Sequence, residues 1–474
     1  MDPFSKTHGE ELIELIKTNA PTDVQLLRRL YDDFDPSIYS EGVEYYFNQS
    51  EIKRRIIKVP DDNGNMVADP DATNHRLASG FHKLLVDQKT AYLSGEPMTF
   101  GSKSNDKKFL DLLYDLIGED FEDTLPELIK NASNKGREWL HPYIDEDGVF
   151  QFIIIPAEQF IPIYEPTKRK ELLGGIRFYE YSESIIKLEW WTDTDVSYYE
   201  IVEGELVPDA MEEVNPAPHY NNGNQSRSWG KVPFIEFANN EERVSDLLFV
   251  KDPIDAFDLL FSDITNTLDD MQSLIYVLKG YEGTNLAEFL KQLKRYKAIP
   301  IDAAEGSGID TLKAEVPVEA VKTQIEELKQ SIFAFGQGVN PNPDIIGDAP
   351  SGVALQNLYS LLDMKSSILE RKFTRALRRF MWFVTEYLKI SGQGEFDYRD
   401  ITFSFNKMLL TNELEIIQMA RDSVGIISNA TIRENHPWVK DQQTEKDRLE
   451  KEQAEFDARL EPLGGEDEDE PIRD

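Results

Sequence analysis

From Pro317 to Phe335 the apolar residues Val318, Val321, Ile325, Leu328, Ile332 and Phe335 recur at spacings of three and four without a break. That is the narrow stripe of a helix packed lengthwise on a partner. It stops at Gly336-Gln337-Gly338. A matching helix is predicted upstream, with Asp252 as N-cap and Pro253 at the first helical position. Ile254, Phe257, Leu260, Phe261, Ile264, Leu268 and Met271 then follow at the same spacing. Each helix would run roughly 30 Å at 1.5 Å per residue. Between them lies a mixed insert, Ser273 to Val316, with a helical pattern from Leu286 to Tyr296. Two matched helices flanking an insert predict an antiparallel stalk with a small domain at its tip.

The rest of the chain is arranged around this pair. Val339 to Pro350 carries three prolines, which forbid regular helix. A long helical pattern runs from Ser351 to about Ile390, roughly 60 Å if continuous. Its apolar face is Leu355, Leu358, Leu362, Leu369, Phe373, Ala376, Phe380, Phe383 and Tyr387, and the polar run Asp363 to Ser367 is a place for a bend. Asp400 to Phe405 reads as a strand, Thr411 onward as helices, and Glu466 to Glu470 as a disordered acidic tail. In the first half, helices are predicted over Asn74 to Tyr92 and, separately, over the faces Phe109 to Ile117 and Phe121 to Ala132. Val149 to Ile155, Ile176 to Tyr181, Ile185 to Trp191 and Tyr198 to Val202 read as antiparallel strands, and Val214 to Gly230 as a loop.

Charge limits the function. The net charge is −37, from 51 basic and 88 acidic side chains, so tight clamping of nucleic acid through Lys and Arg is disfavoured. No Lys or Arg occurs from Gln330 to Met364. Basic residues gather at Lys291, Lys294, Arg295 and Lys297 in the insert, and at Arg371, Lys372, Arg375, Arg378 and Arg379 on the long helix. Those on the long helix read equally well as subunit or partner contacts and as ion-pair partners of this chain's acids. The chain has no cysteine, and its start lacks the basic-then-apolar pattern of a signal peptide, so a soluble intracellular protein without disulfides is expected.

Signatures of catalysis are weak. Gly223 to Lys231 fails as a phosphate loop because its glycines are too far apart and Val232 stands where Ser or Thr is needed. The pairs Gly306/Gly308, Gly336/Gly338 and Gly392/Gly394 lack a third glycine. The histidines form no zinc-binding pair and read as solvent-facing or capping residues; Asp193 and Asp195 read as solvated surface. No cofactor or metal is expected, and no enzymatic activity. Two functions remain open at this point: a metal-dependent nuclease or hydrolase working through acid pairs, and a scaffold assembled through its helices.

Four segments, in order, carry a resemblance: Asn74-His75-Arg76-Leu77 through Gly95-Glu96-Pro97; Gly136-Arg137-Glu138-Trp139-Leu140 through Ile155-Pro156-Ala157-Glu158; Val232-Pro233-Phe234-Ile235-Glu236-Phe237 through Ser262-Asp263 and Asn266; and Ser351-Gly352-Val353-Ala354-Leu355. Over roughly residues 40 to 390 the chain resembles the portal (head-to-tail connector) proteins of tailed double-stranded-DNA bacteriophages, in the branch common among long-tailed phages of Gram-positive hosts. The resemblance implies an α+β, mainly α, portal-type fold. Its parts would be a wing (1–250), stem helices (251–272 and 317–338), a clip (273–316), a tunnel loop (339–350), a long wing helix (351–391), a returning strand (392–410) and a crown with acidic tail (411–474).

The same resemblance implies a dodecameric ring at the capsid vertex, assembled in the host bacterial cytoplasm, that passes double-stranded DNA during packaging and ejection. Implied partners are the terminase large subunit, a head-tail connector or adaptor protein, and scaffolding and major capsid proteins, with no membrane. Asn340, Asn342, Asp344, Ile345, Ile346, Gly347 and Asp348 would then face the DNA. Lys291, Lys294, Arg295 and Lys297 would meet partners. Ile254, Phe257, Phe261, Ile264, Leu268, Val321, Ile325, Leu328 and Ile332 would pack the stem and the ring.

Overall fold

The computed structural model describes residues 23–61, 63–70, 72–165, 171–222, 225–271, 275–279, 308–312, 317–340, 352–407, 413–436, 438–439 and 442–460. They fall into two compact units, one of residues up to 340 with 361–408, the other of 341–360 with 409 onward.

In the first unit, α1 (Val24–Asp32) and α2 (Ser40–Tyr46) precede a hairpin of β1 (Lys58–Pro60) and β2 (Met66–Ala68). Next come α3 (Phe81–Ser94), β3 (Thr99–Ser102) and α4 (Lys107–Lys135). The expected helix from Asn74 is corrected: residues 74–80 are not helical, and α3 starts only after Gly80, whose φ of 69 turns the chain. The two faces expected at 109–117 and 121–132 are one helix. Phe109, Leu113, Ile117, Phe121, Leu125, Leu128 and Ala132 continue a single buried row across the supposed break. Asp106 caps α4 by accepting from the Phe109 N–H at 3.1 Å.

Antiparallel strands follow. β4 (Arg137–Ile144) is central to a sheet of order β14-β4-β5, with β5 spanning Phe150–Ile155 and β14 Ile235–Ala238. A larger sheet runs β10-β9-β8-β7-β6, from β6 (Phe160–Tyr164) through β7 (Leu172–Ser182), β8 (Ile185–Trp191) and β9 (Asp195–Val202) to β10 (Glu205–Pro208). The expected loop from Val214 is interrupted by β11 (Ala217–Pro218) on β9 and by a hairpin of β12 (Tyr220–Asn222) and β13 (Gln225–Arg227). Leu26, Leu27 and Leu30 of α1 share a core with Trp139, Phe160, Trp190 and Phe234. Two glycines on β7 make room for it: a Cβ on Gly175 would lie 2.1 Å from the Phe160 ring, and one on Gly174 2.5 Å from Trp190.

Helix α5 (Lys251–Met271) begins one residue before the expected cap: the Ile254 N–H donates to the Val250 carbonyl at 3.1 Å, which puts Asp252 inside the first turn. Beyond it β15 (Ile275–Lys279) pairs with β16 (Gly308–Leu312), and α6 spans Val318–Phe335. Helix α7 is Gly352–Ile390, and it stays helical through the polar run at 363–367, the place where it could bend. From 361 on, its inner face is largely apolar: Leu369, Phe373, Leu377, Phe380, Met381, Val384 and Leu388 are buried, with Ser366 and Thr385 the polar residues among them. Phe380 stacks on Phe121 of α4 at 5.7 Å, and Phe373 meets Phe237 edge-on at 5.0 Å. The strand β17 (Ile401–Ser404) returns to pair with β3.

In the second unit α8 (Glu413–Asp422), α9 (Asn429–Glu434) and α10 (Gln442–Leu460) are helices, as their sequence pattern predicts. Ser428 caps α9 by accepting from the Thr431 N–H at 3.1 Å.

Candidate functional site

The α5–α6 pair is rooted in a core. Ile254 and Phe257 of α5 and Ile332 and Phe333 of α6 are buried together with Tyr45, Leu85, Leu247 and Val250. Ile325, Leu328 and Phe81 pack on that cluster, Phe81 edge-on to Phe257 at 5.0 Å. Each buried large side chain contributes about 1.5–3 kcal/mol. Phe333 lies off the sequence stripe, and Phe335, on the stripe, is 60% exposed. Val321 and Ile264 are half-buried, while Phe261 and Leu268 are 45% and 55% exposed. The predicted seam is thus filled within one subunit around Ile254, Phe257 and Ile332, and part of both helices is left uncovered by the described residues.

A second face of α5 is polar and buried, which the apolar pattern does not reveal. Asp258, Ser262 and Asn266, successive turns of one row, accept the backbone N–H groups of Ser79, Leu77 and His75 at 2.9, 3.0 and 2.7 Å. Every second N–H of the 74–79 segment is held by a helix side chain, as a neighbouring strand would hold it. Asp258 also accepts from Ser50 at 2.6 Å, and burial raises its pKa. The signal lay in the sequence as three polar residues at helical spacing beside an apolar stripe.

The exit of α6 is fastened from two sides. Gln337 takes a left-handed φ of 53 and turns the chain. The glycines beside it serve close approach: a Cβ on Gly336 would lie 2.6 Å from Leu85, and one on Gly338 2.3 Å from it. One residue on, the Gln88 amide grips the backbone of Val339, accepting its N–H at 3.0 Å and donating to its carbonyl at 2.7 Å. Lys365 of α7 donates to the Gly336 carbonyl at 3.0 Å.

Lys365 also belongs to a buried charge cluster. Its Nζ lies 2.9 Å from an Asp246 carboxylate oxygen that Lys89 reaches at 3.0 Å. Asn239 donates to the other Asp246 oxygen at 2.8 Å and accepts from Lys89 at 2.5 Å. Burial alone would raise the Asp246 pKa, but the Lys365 and Lys89 ammoniums outweigh it and hold the carboxyl well below its usual range. Burial pushes Lys89 down to about 8, so it stays charged at neutral pH. The polar run at 363–367 supplies Lys365 here. It also supplies Asp363, which accepts from Tyr92 at 3.0 Å and Lys407 at 2.9 Å.

Three of the described histidines, His82, His141 and His219, are buried and not solvent-facing as expected. His82 is buried and bonds Asn134 at 2.9 Å, and burial lowers its pKa to about 4. His141 is buried against Pro233, and burial lowers it to about 3. His75, in the extended segment, pairs with Asp269 at 2.6 Å.

Of the residues expected to face DNA, Asn340 is half-buried next to the clamped Val339. Asn342, Asp344, Ile345, Ile346, Gly347 and Asp348 lie outside the described residues, as do Lys291, Lys294, Arg295 and Lys297. Among the described residues no helix is long and apolar enough to cross a membrane.

The family described as "Phage portal protein, SPP1 Gp6-like" matches residues 37–457. The portal protein of Bacillus phage SPP1 is 39% identical over 466 residues, covering 96% of this chain and 92% of that protein. The portal protein of Clostridium phage phiCD119 is 31% identical over 421 residues, covering 85% and 89%. Among solved structures, a chain of the neck of a native GTA particle aligns at TM-score 0.40 and 14% identity over 74% of this chain and 88% of that one, too distant to add to the assignment. The family match over residues 37–457 and the two portal-protein relatives establish that the chain belongs to the SPP1 Gp6-like family of phage portal proteins, ring-forming structural subunits of the phage particle.

Proposed function

We propose that twelve copies form the ring, assembled in the host cytoplasm and seated at the capsid vertex, and that double-stranded DNA passes along its axis during packaging and ejection. In this reading 251–272 and 317–338 are the stem, 273–316 the clip and 339–350 the tunnel loop. Residues 1–250, 351–391 and 392–410 make the wing, and 411–474 the crown and tail. Scaffolding and major capsid proteins surround the ring. The observation that carries this reading is the exit of α6. Its last turn and Val339 are fastened by Leu85, Gln88 and Lys365, so a cation-free loop starts from a fixed point directly after a rooted helix pair. Negative-stain images of the purified protein should show rings with an axial hole. The role is structural and not enzymatic, so Mg²⁺ or Mn²⁺ should elicit no cleavage of plasmid DNA, whereas cleavage would revive the nuclease reading.

Ile325 packs on the shared core of α5 and α6 from a half-exposed position. Ile325→Asp places a charge in that seam at a cost of several kcal/mol if no partner is found. It is expected to abolish rings by native mass spectrometry, and intact rings would remove Ile325 from the seam.

The loop has no cation with which to hold phosphate, and Asp344 and Asp348 repel it. DNA therefore slides past with weak contact. Asp344→Lys with Asp348→Lys is expected to leave ring assembly intact but to shorten the nuclease-protected DNA per particle. Wild-type lengths at low and moderate salt would take this loop out of the channel.

Lys291, Lys294, Arg295 and Lys297 are the clip's docking charges, meeting the terminase large subunit during filling and the connector afterwards. Reversing the first three to Glu should keep the ring and lower stimulation of the motor's ATPase. Unchanged stimulation at physiological salt would place docking elsewhere.

A further inference from the structure

The basic cluster of α7 divides in the structure. Lys372 forms an ion pair with Glu241, and Arg379 is half-buried. Arg371, Arg375 and Arg378 remain exposed on one row of the helix, and among the described residues no carboxylate pairs with them. The neighbouring acid Glu370 is taken by Lys407 at 3.1 Å. In a chain of net charge −37 an uncompensated row of arginines is unexpected. Lys231 extends the row by lying 3.6 Å over the Trp382 ring, and Glu386 closes it a turn later.

Toward the N-terminus the same face turns apolar. Leu361, Met364 and Ile368 are 40%, 51% and 49% exposed and continue the row at spacings of three and four. An apolar patch joined to a cationic one fits a protein surface; phosphates would gain nothing from the apolar half.

The chain carries a counterpart. On α4, Asp111, Asp115, Glu119 and Glu122 are exposed along one row of the helix, and among the described residues no cation pairs with them. Both rows repeat once per helical turn, about 5.4 Å, so three arginines can meet the acids in register. The two rows are different surfaces of one subunit, which is what a head-to-tail contact between identical copies requires.

We propose that the Leu361–Arg378 face of α7 docks on the acidic row of α4 in a second copy of this chain, forming a subunit–subunit contact of the ring. The proposal rests on the ring reading above. Complementary rows of this kind fix the register of neighbours and exclude wrong pairings.

The test uses full-length protein at about 150 mM salt, where charges beyond roughly 8 Å are screened. One variant carries Arg371→Glu, Arg375→Glu and Arg378→Glu; the other carries Asp111→Arg, Asp115→Arg and Glu119→Arg. Native mass spectrometry reads assembly, and circular dichroism checks that each variant is folded. Wild-type rings are the control, and their absence would refute the ring reading independently of this contact. Each variant alone is expected to lose at least ten-fold in ring yield, because like charges then face each other. An equimolar mixture is expected to recover rings of strictly alternating composition, since each variant then meets its complement on both sides. Full ring yield from the arginine variant alone would overturn the proposal, and reduced DNA packaging by those rings would assign the row to nucleic acid. Two folded variants that fail alone and also fail when mixed would overturn α4 as the partner.

Discussion

Asp246→Ala should cost about 3–5 kcal/mol of folding stability, because it leaves two ammonium groups buried without their shared carboxylate. Lys89 is 1% exposed, and both Lys89 and Lys365 lie within 3.0 Å of Asp246. Urea unfolding at fixed protein concentration measures the loss, since assembly would otherwise shift the midpoint. A change below 1 kcal/mol would mean the cluster contributes little. The pH dependence has a definite sign. Asp246 is held below its unfolded value of about 3.9, so its contribution is complete above that value. It is lost as pH falls through the lower folded value. The gap between wild type and Asp246→Asn should therefore be widest at neutral pH and shrink below about pH 4.

Gly136→Ala is expected to be comparably damaging, by about 3–5 kcal/mol, from two sources. Gly136 ends α4 at a φ of 89, and its N–H donates to the Ala132 carbonyl at 2.7 Å. A Cβ there would also lie 2.2 Å from the Arg243 carbonyl oxygen. Gly148 separates the two effects: its φ is 80, but a Cβ on it meets nothing within 4 Å. Gly148→Ala should cost only about 1–2 kcal/mol, the left-handed penalty alone. Equal melting temperatures for the two variants would show that the Arg243 backbone gives way without cost.

These two sites show where sequence reasoning succeeds and where it stops. Periodicity located α5, α6 and α7 within a residue or two of their ends, because each has a sustained apolar row, bounded by proline and glycine for α6 and α7 and started by Pro253 for α5. It split α4 in two because Gly118 and the acids around it resemble a break, although the buried row passes straight through. It read 74–80 as helix because Leu77 and Phe81 fit a helical face; the partner that holds the segment extended is more than 170 residues away at Ser79, where |i−j| is 179. Strands β4 and β6 gave no alternating signal because nearly every residue in them is buried. The charge cluster was illegible for a similar reason: Lys89 and Asp246 are 157 residues apart, and neither position is distinctive alone. The four segments quoted for the family resemblance include Asn239, Ser262 and Asn266, polar residues whose buried contacts only the fold reveals.

The grip of α5 on 74–79 behaves as a vernier. Four residues of helix advance about 6.0 Å, two residues of extended chain about 6.6 Å, so successive contacts drift by about 0.6 Å. Three contacts stay within hydrogen-bonding range on such a scale, and a fourth or fifth would not. Asp258, Ser262 and Asn266 take the segment by its backbone N–H groups, while Asp269 of the same helix reads one side chain on it, His75. The spacing of the junction is therefore written on the helix, and identity on the strand counts mainly where a side chain has its own partner, as at Asn74, His75 and Arg76. Proline is barred at 75, 77 and 79, and the length of the held segment is fixed, since a one-residue slip turns every gripped N–H to the opposite side.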